Sequence, residues 1–577
     1  MSRDKEWFEL PRPAAVARLV EIRNELRAKN LYDTEDPPHP QGAATVPPEA
    51  KIGRTASGEF NDLRCPMMGS SGARFGRNVP LSETLPDAAN LMNPNPRTIS
   101  QELFTRDKFQ PATILNVMAA AWIQFQTHDW FLHRQGTMDS AHEIPLTDGD
   151  PWPERPMRLP KTPVDPQKRP DAKRPPAYVN DNSHWWDGSQ IYGSTPAVQA
   201  TLRTGEKGKV KVGDDCRLGL DPVTGLEVTG MTENAWVALS LLHGLFALEH
   251  NAVCDRLTKE FPSWDDQQLF TKARLIVSAL MAKIHTVEWT PAILPHPLTV
   301  LALRTNWHGL VPGLQKVFPG LQDNEYLSGI PGSATDHHTA PYSLTEEFAA
   351  VYRMHALLPD DFTLWSVETG KELERFELPG LSGRAGRKLL ERCQVADLFY
   401  SFGISHPGAL RLHNFPKHLQ NLKKDSGELF DIAAVDILRD RERGVPRYNQ
   451  FRRLFHKKPV TSFEELTDNP QWAQEIKRVY NGDLEKVDLL VGLMCEPLPE
   501  GFGFSDTAFR VFILMASRRL KSDRFLSQDY TPEMYTQTGI EWVEETSMLD
   551  VLRRHVPALK PALVGVENAF KPWRKVS

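Results

Sequence analysis

The chain has 577 residues, a formal net charge of −6 and 40% hydrophobic side chains, a balance that supports a large buried core and leaves no basic footprint for nucleic acid. Its five cysteines, at 65, 216, 254, 393 and 495, are odd in number and scattered, which argues against a disulfide framework or a zinc site. The start, Met1-Ser2-Arg3-Asp4-Lys5-Glu6-Trp7, lacks the apolar stretch of a secretory leader and no uninterrupted apolar run reaches bilayer-spanning length, so a cytoplasmic location is expected.

The first predicted helix runs from about Pro13 to Lys29, with Ala14, Val16, Leu19, Val20, Ile22 and Leu26 as its apolar set. It is expected to pack on the core; covering a lipid channel or making peripheral contact with a membrane surface are the alternatives. Residues 30–60 are rich in Pro and Gly and read as an irregular arm. The segment 95–135 is predicted to be largely helical and to end near His133. Within it Gln124 and His128 stand at i,i+4 and share a face, while Asp129 lies roughly 100° further round. A neutral imidazole beside a carboxamide suits the distal side of a haem pocket, where a peroxide proton is taken and returned. The same stretch also reads as a core helix, since Ala119, Ala120, Ala121, Trp122 and Phe125 are apolar.

Residues 143–180 carry a dense proline series from Pro145 to Pro176, incompatible with regular helix or central sheet, and are expected to wrap the surface as an extended insert. The following loop, Ser183-His184-Trp185-Trp186-Asp187-Gly188-Ser189, offers at alternate positions a hydroxyl, a backbone carbonyl, a carboxylate and a second hydroxyl. Calcium, a hard ion that takes six to eight oxygens, suits such a loop, with Asp129 as the second carboxylate; Asp187-Gly188-Ser189 is equally ordinary turn chemistry. Residues 232–260 and 266–290 read as two long helices, and 311–345 as a second Pro- and Gly-rich passage.

The segment Glu347 to Asp360 places Tyr352 and His355 at i,i+3, on one face of a helix. A histidine ligating a haem iron and a tyrosine over the same macrocycle would form a unit for moving an oxidising equivalent from metal to protein; ordinary packing is the alternative. The C-terminal third is mostly helical. There Arg439-Asp440-Arg441-Glu442-Arg443-Gly444-Val445-Pro446-Arg447-Tyr448-Asn449 reads, by composition, as a solvated loop entering a helix. The fold class is mainly α, with a few short strands at most.

In this order, the His128-Asp129 pair, the 183–189 loop, the Tyr352–His355 segment and the Arg439–Asn449 run resemble the peroxidase–cyclooxygenase superfamily of haem proteins. Phe246-Ala247-Leu248-Glu249-His250-Asn251 matches a further helix of that superfamily. Within it the chain is most similar to the fatty-acid α-dioxygenases of plants and bacteria, through Asn61-Asp62-Leu63-Arg64-Cys65-Pro66-Met67-Met68-Gly69, Ala282-Lys283-Ile284-His285-Thr286-Val287-Glu288-Trp289-Thr290 and Ser517-Arg518-Arg519-Leu520. The similarity extends from about residue 55 to about 570. It implies one large helical haem-peroxidase-like domain over 56–577, preceded by an N-terminal helix and arm over 1–55.

The resemblance also implies a chemistry: haem b held by His355, whose other ring nitrogen is bonded by Asn449; His128 and Gln124 on the distal side; and a calcium ion on Asp129, Ser183, Trp185, Asp187 and Ser189. Hydrogen peroxide activates the haem, a radical on Tyr352 abstracts a hydrogen from a long-chain fatty acid, and O2 adds to give a 2-hydroperoxy acid. His285, Thr290 and Arg519 would anchor the carboxylate. His285 and Thr290 are five apart, so one regular helix lets both reach a pocket only approximately, and Arg518 and Arg524 compete with Arg519 for the anchoring role. A conventional haem peroxidase, a dioxygenase attacking mid-chain and a non-enzymatic calcium or lipid carrier are the alternative functions.

Overall fold

The computed structural model describes residues 5–35, 45–167, 175–223, 225, 227–232, 236–311, 324–424 and 427–576. Among these, helix dominates and strands occur only as three antiparallel pairs: β1 (Ala141–Ile144) with β2 (Met157–Pro160), β3 (Asp361–Trp365) with β4 (Glu372–Glu377), and β5 (Leu422–Lys423) with β6 (Leu429–Phe430). Parts of the expected arm and insert, and residues 312–323 of the second Pro- and Gly-rich passage, lie outside the described residues.

Helix α1 (Arg12–Lys29) packs against the molecule rather than standing away from it, but not with the expected face. Ala15, Ile22, Arg23 and Leu26 are buried, while Val16 is 40% exposed. Just before it, Trp7 is fully buried and donates its indole N–H to Asp506 at 2.8 Å.

The site is framed by helices whose sequences explain their burial. Helix α2 (Val117–Trp130) starts on Asn116, whose side chain accepts from the Ala119 N–H at 3.2 Å, a cap worth about 1 kcal/mol. It is apolar on nearly every side and is correspondingly buried. It ends at Trp130, three residues before the expected His133, as the chain turns extended at Phe131. Helix α3 (Val237–Glu260) is long and apolar enough to cross a membrane by length and composition, yet 83% of its most apolar window is buried inside the protein. It is a core helix packed on α2 and on α4 (Asp266–Ile284).

The second predicted long helix does not run straight to residue 290. After α4 the backbone widens into a π-helical turn, His285–Trp289, in which the Thr290 N–H bonds to the His285 carbonyl. That i→i+5 closure brings residues five apart to one side, so His285 and Thr290 share a face. Helix α5 (Pro297–His308) follows.

Helix α6 (Glu346–Val351) is capped by Thr345 and stops at Tyr352, whose φ of −89° and ψ of 11° leave the helical region. His355 begins a separate 3-10 turn, His355–Leu357. Tyr352 and His355 therefore do not share a helix face as the i,i+3 spacing suggests. The charged run 439–443 is no solvated loop either. It ends α7 (Ile432–Glu442) and is buried in ion pairs: Arg441 to Asp488 at 2.6 Å, Asp440 to Arg353 at 2.9 Å, and Glu442 to His142 at 2.9 Å. Arg77 ties this region to α6, bonding Glu347 at 2.6 Å and the carbonyls of Arg443 and Gly444. The last framing helix is α8 (Asp506–Ser522).

The proline-rich insert is less extended than expected. Ile144, Met157 and Leu159 of the β1–β2 pair, with Trp152 between them, close a small second core over Ala434 and Leu438 of α7.

Candidate active site

Two features converge on Tyr352, a cavity on one side and a histidine loop on the other. The cavity is small and is lined by Tyr352 and Phe348, by His285 and Thr290 of the π-helical turn, and by Arg519 of α8, with Trp186 at its wall. Tyr352 is buried; its ring stacks on Phe512 at 4.6 Å and meets Trp130 edge-on at 5.0 Å. Burial pushes its phenol well above the ordinary tyrosine range, so the hydroxyl keeps its hydrogen.

Arg519 is 1% exposed, and its guanidinium lies between the faces of Trp130 at 4.2 Å and Trp186 at 4.0 Å. Its Nε and Nη2 have no hydrogen-bond partner. A buried cation with unsatisfied donors is costly, so the arrangement is poised for an anion. The rival arginines are committed elsewhere: Arg518 donates to the carbonyls of Ala340 at 2.8 Å and Pro341 at 2.9 Å, and Arg524 pairs with Asp529 and with the Ala50 carbonyl. Successive residues on α8 face about 100° apart, which is why only one of the pair Arg518-Arg519 reaches the cavity. His285 stacks on Trp289 at 4.8 Å. Burial, reinforced by Arg519, drives its pKa well below the histidine norm, and the ring is neutral.

His355 lies beyond the end of α6, and its side chain is 39% exposed. Its Nδ1 is bonded to Asp436 Oδ2 at 2.7 Å, and Asp436 Oδ1 takes Arg353 at 2.8 Å. Burial opposes the charge on Asp436, but His355 and Arg353 outweigh it and hold the carboxyl below its usual range. A carboxylate can only accept, so Nδ1 carries the proton and Nε2 is left as a lone-pair donor suited to an iron. The expected partner, Asn449, does not reach His355. Its carboxamide is closed on the backbone N–H and carbonyl of Val460 at 2.9 and 3.0 Å and on Glu485. Asp436 stands one helical turn before Asp440, and extending the charged run backwards along that helix is the signal that could have found it.

On α2, His128 is 8% exposed and its Nδ1 has no partner. Burial lowers its pKa to about 4, so the imidazole is neutral near pH 7. Gln124 Oε1 accepts from the Trp236 indole at 2.8 Å, which orients the amide. A second imidazole, unforeseen from sequence, lies close by. His243 of α3 packs edge-on to Phe125 at 5.0 Å, its Nδ1 bonds Thr229 at 2.8 Å, and its Nε2 is buried without a partner. Burial, then the charge of His128, lowers its pKa to about 3. The open side of His355 would suit a haem held through that histidine.

Of the predicted calcium residues, Asp129, Ser183, Asp187 and Ser189 come together. Asp129 Oδ1 accepts from the Ser189 N–H at 2.6 Å and hydroxyl at 2.9 Å, and Asp187 Oδ2 accepts from Ser183 at 2.6 Å. Gly188, at φ 74°, makes the turn between them. Asp129 Oδ2 is buried with no partner. Burial raises the pKa of both carboxyls, and for Asp129 the charge of Asp187 adds to it. Arg274 offsets part of that repulsion, with Nη2 3.4 Å from Asp187. Among the described residues no group of three His, Cys, Asp or Glu forms a metal site, so hydroxyl and carbonyl oxygens would have to complete any cation site here.

Comparison with known proteins agrees with this geometry. The animal haem peroxidase family matches residues 53–565. The α-dioxygenase PIOX of Oryza sativa subsp. japonica is 36% identical over 98% of this chain and 93% of its own length, and α-dioxygenase 1 of Arabidopsis thaliana is 38% identical over 90% and 83%. The crystal structure of the Oryza sativa fatty acid α-dioxygenase superposes with a TM-score of 0.92 at 35% identity, covering 98% of this chain and 94% of that one. A tyrosine-to-phenylalanine variant of the rice enzyme, crystallised with palmitic acid, superposes equally well.

Proposed function

The chain belongs to the animal haem peroxidase family and within it to the α-dioxygenases, and on that premise we propose how its residues divide the work of a haem-dependent fatty-acid dioxygenase. It is an oxidoreductase that adds O2 to C2 of a long-chain fatty acid. Haem b would be held through His355 and, with hydrogen peroxide as the oxidant, would supply the one-electron oxidation of Tyr352. His128, neutral at its low pKa, takes and returns the peroxide proton, with Gln124, oriented by Trp236, one turn before it on the same helix.

Once Tyr352 has given up its phenolic hydrogen, its oxygen abstracts a hydrogen atom from Cα of the bound acid. O2 adds to the carbon radical, and the resulting peroxyl radical takes the hydrogen back from Tyr352. The product is the 2-hydroperoxy acid, the tyrosyl radical is restored, and loss of CO2 and water from the product gives the aldehyde one carbon shorter.

The observation that carries the site of attack is the cavity itself. Tyr352, His285, Thr290 and the underused Arg519 line one buried space. A carboxylate bound to that cation places its Cα hydrogens nearest the tyrosine, whereas mid-chain attack needs the opposite orientation and a simple peroxidase needs no such anchor. Oxygen uptake and product analysis with palmitic acid test it: a 2-hydroperoxy acid, or the C15 aldehyde with CO2, is expected, and a mid-chain hydroperoxide or no oxygenation overturns it.

Calcium at Asp129, Ser183, Trp185, Asp187 and Ser189 completes the proposal. Its support is the orphaned Asp129 Oδ2 and the mutual repulsion of two buried carboxylates. Asp129 adjoins His128, so the ion would lock the distal helix to its loop.

A further inference from the structure

We propose that Trp122 is a positioning residue for the substrate carboxylate: its indole N–H, donated to His285 Nδ1, holds that imidazole as the tautomer whose Nε2 carries the hydrogen. The proposal rests on the reading of His285 as part of the carboxylate anchor and adds what makes that ring a donor. The two rings meet at 3.3 Å, Trp122 Nε1 to His285 Nδ1, with both residues buried. An indole N–H can only donate, so the nitrogen that receives it must hold a lone pair, and a neutral imidazole then has its single hydrogen on the other nitrogen. A carboxylate only accepts. The opposite tautomer would set a lone pair against it and repel the substrate it is meant to hold.

Neighbouring groups keep this geometry in place. Trp122 is fully buried among Phe125, Phe246 and Phe570, with ring centroids 5.4–5.8 Å away. His285 cannot readily turn because its face lies on Trp289 at an interplanar angle of 14°, and Trp289 is itself fixed by donating to the Ala119 carbonyl at 2.9 Å. The ring is neutral for want of solvent, so it has one N–H to offer and the choice of nitrogen matters. Thr290 cannot substitute for it, since its hydroxyl hydrogen is already donated to the His285 carbonyl at 2.7 Å. Trp122 also shares α2 with Gln124 and His128, so the helix that carries the distal residues sets the polarity of the anchor as well.

The test is a double-mutant cycle read by palmitate binding to the haem-loaded protein, in a Tyr352→Phe background where the acid is not consumed. Trp122→Phe should weaken palmitate binding about five-fold, the worth of one hydrogen bond between neutral groups. Haem absorption and reactivity with hydrogen peroxide should be unchanged. In a His285→Ala background the same substitution should have no further effect, because its partner is gone. An equal loss in both backgrounds means that Trp122 only packs, and overturns the proposal while leaving the anchor standing. If His285→Ala alone leaves palmitate binding intact, the anchor reading itself falls and the proposal with it. Trp122→Leu, which lacks the N–H and most of the ring, provides the same cycle should the phenylalanine variant fail to retain haem.

Discussion

Arg518 and Arg519 are adjacent and equally buried, yet their substitution should have opposite consequences. In Arg519→Ala the guanidinium between Trp130 and Trp186 is lost. Removing a charge-assisted contact from a buried carboxylate costs on the order of 2–5 kcal/mol, or roughly 30- to several-thousand-fold in binding. The stability effect is a near balance. The cation–π contacts, about 2 kcal/mol when desolvated, are lost, but so is the cost of burying a charge whose Nε and Nη2 have no partner. Arg518→Ala, by contrast, strands the carbonyls of Ala340 and Pro341, at about 1–3 kcal/mol each. The assays are steady-state oxygen uptake with palmitic acid beside thermal melting of the haem-loaded protein. Arg519→Ala should lose fatty-acid turnover with little change in melting temperature and with peroxide reactivity intact. Arg518→Ala should melt earlier and, while folded, turn over near the wild-type rate. Wild-type turnover in Arg519→Ala, with loss of activity in a still-stable Arg518→Ala, would refute the assignment of the anchor.

Tyr352→Phe should keep the haem spectrum and lose oxygen uptake with a fatty acid, since phenylalanine fills nearly the same volume without the hydroxyl; uptake at the wild-type rate would rule out the radical relay. Asp436→Asn should disturb the haem absorption band and loosen haem retention, because an amide cannot hold His355 Nδ1–H as a carboxylate does, whereas Asn449→Ala should leave the band in place and lower only thermal stability through its lost Val460 contacts. Asp187→Ala should lower melting temperature and haem retention together; elemental analysis of the wild-type protein should find calcium, and its absence there with an unchanged melting temperature in the variant would dismiss the ion.

The sequence made legible those residues whose chemistry is local. Gln124, His128 and Asp129 could be placed because helical periodicity decides which side chains share a side, and α2 keeps that periodicity. Where the backbone departs from regular geometry the reading failed in a traceable way. Tyr352 and His355 look co-facial only if the helix continues, and it stops between them. His285 and Thr290 look poorly matched only if the helix is regular, and a π-helical turn brings them together. The partner of His355 differs from the expected one for another reason. Both Asp436 and Asn449 can bond an imidazole, and only the packing of α7 against the histidine loop decides between them.

Long-range aromatic contacts were beyond sequence reading altogether. Nothing in the spacing of Trp122, Trp130 and Trp186 announces that they converge on His285 and Arg519, because tryptophans in apolar runs are the ordinary material of a core. Their arrangement solves a physical problem that the anchor creates. A cation kept in a buried cavity for a substrate must survive the intervals when no substrate is there, and a neutral imidazole beside it must point its one hydrogen the right way. Two indole faces stabilise the guanidinium without consuming its donors, and a third indole edge takes the imidazole nitrogen that must not face the acid. Carboxylates would do both jobs more strongly, but they would compete with the substrate for the same cation. Aromatic rings hold the anchor in place and leave its charge unspent.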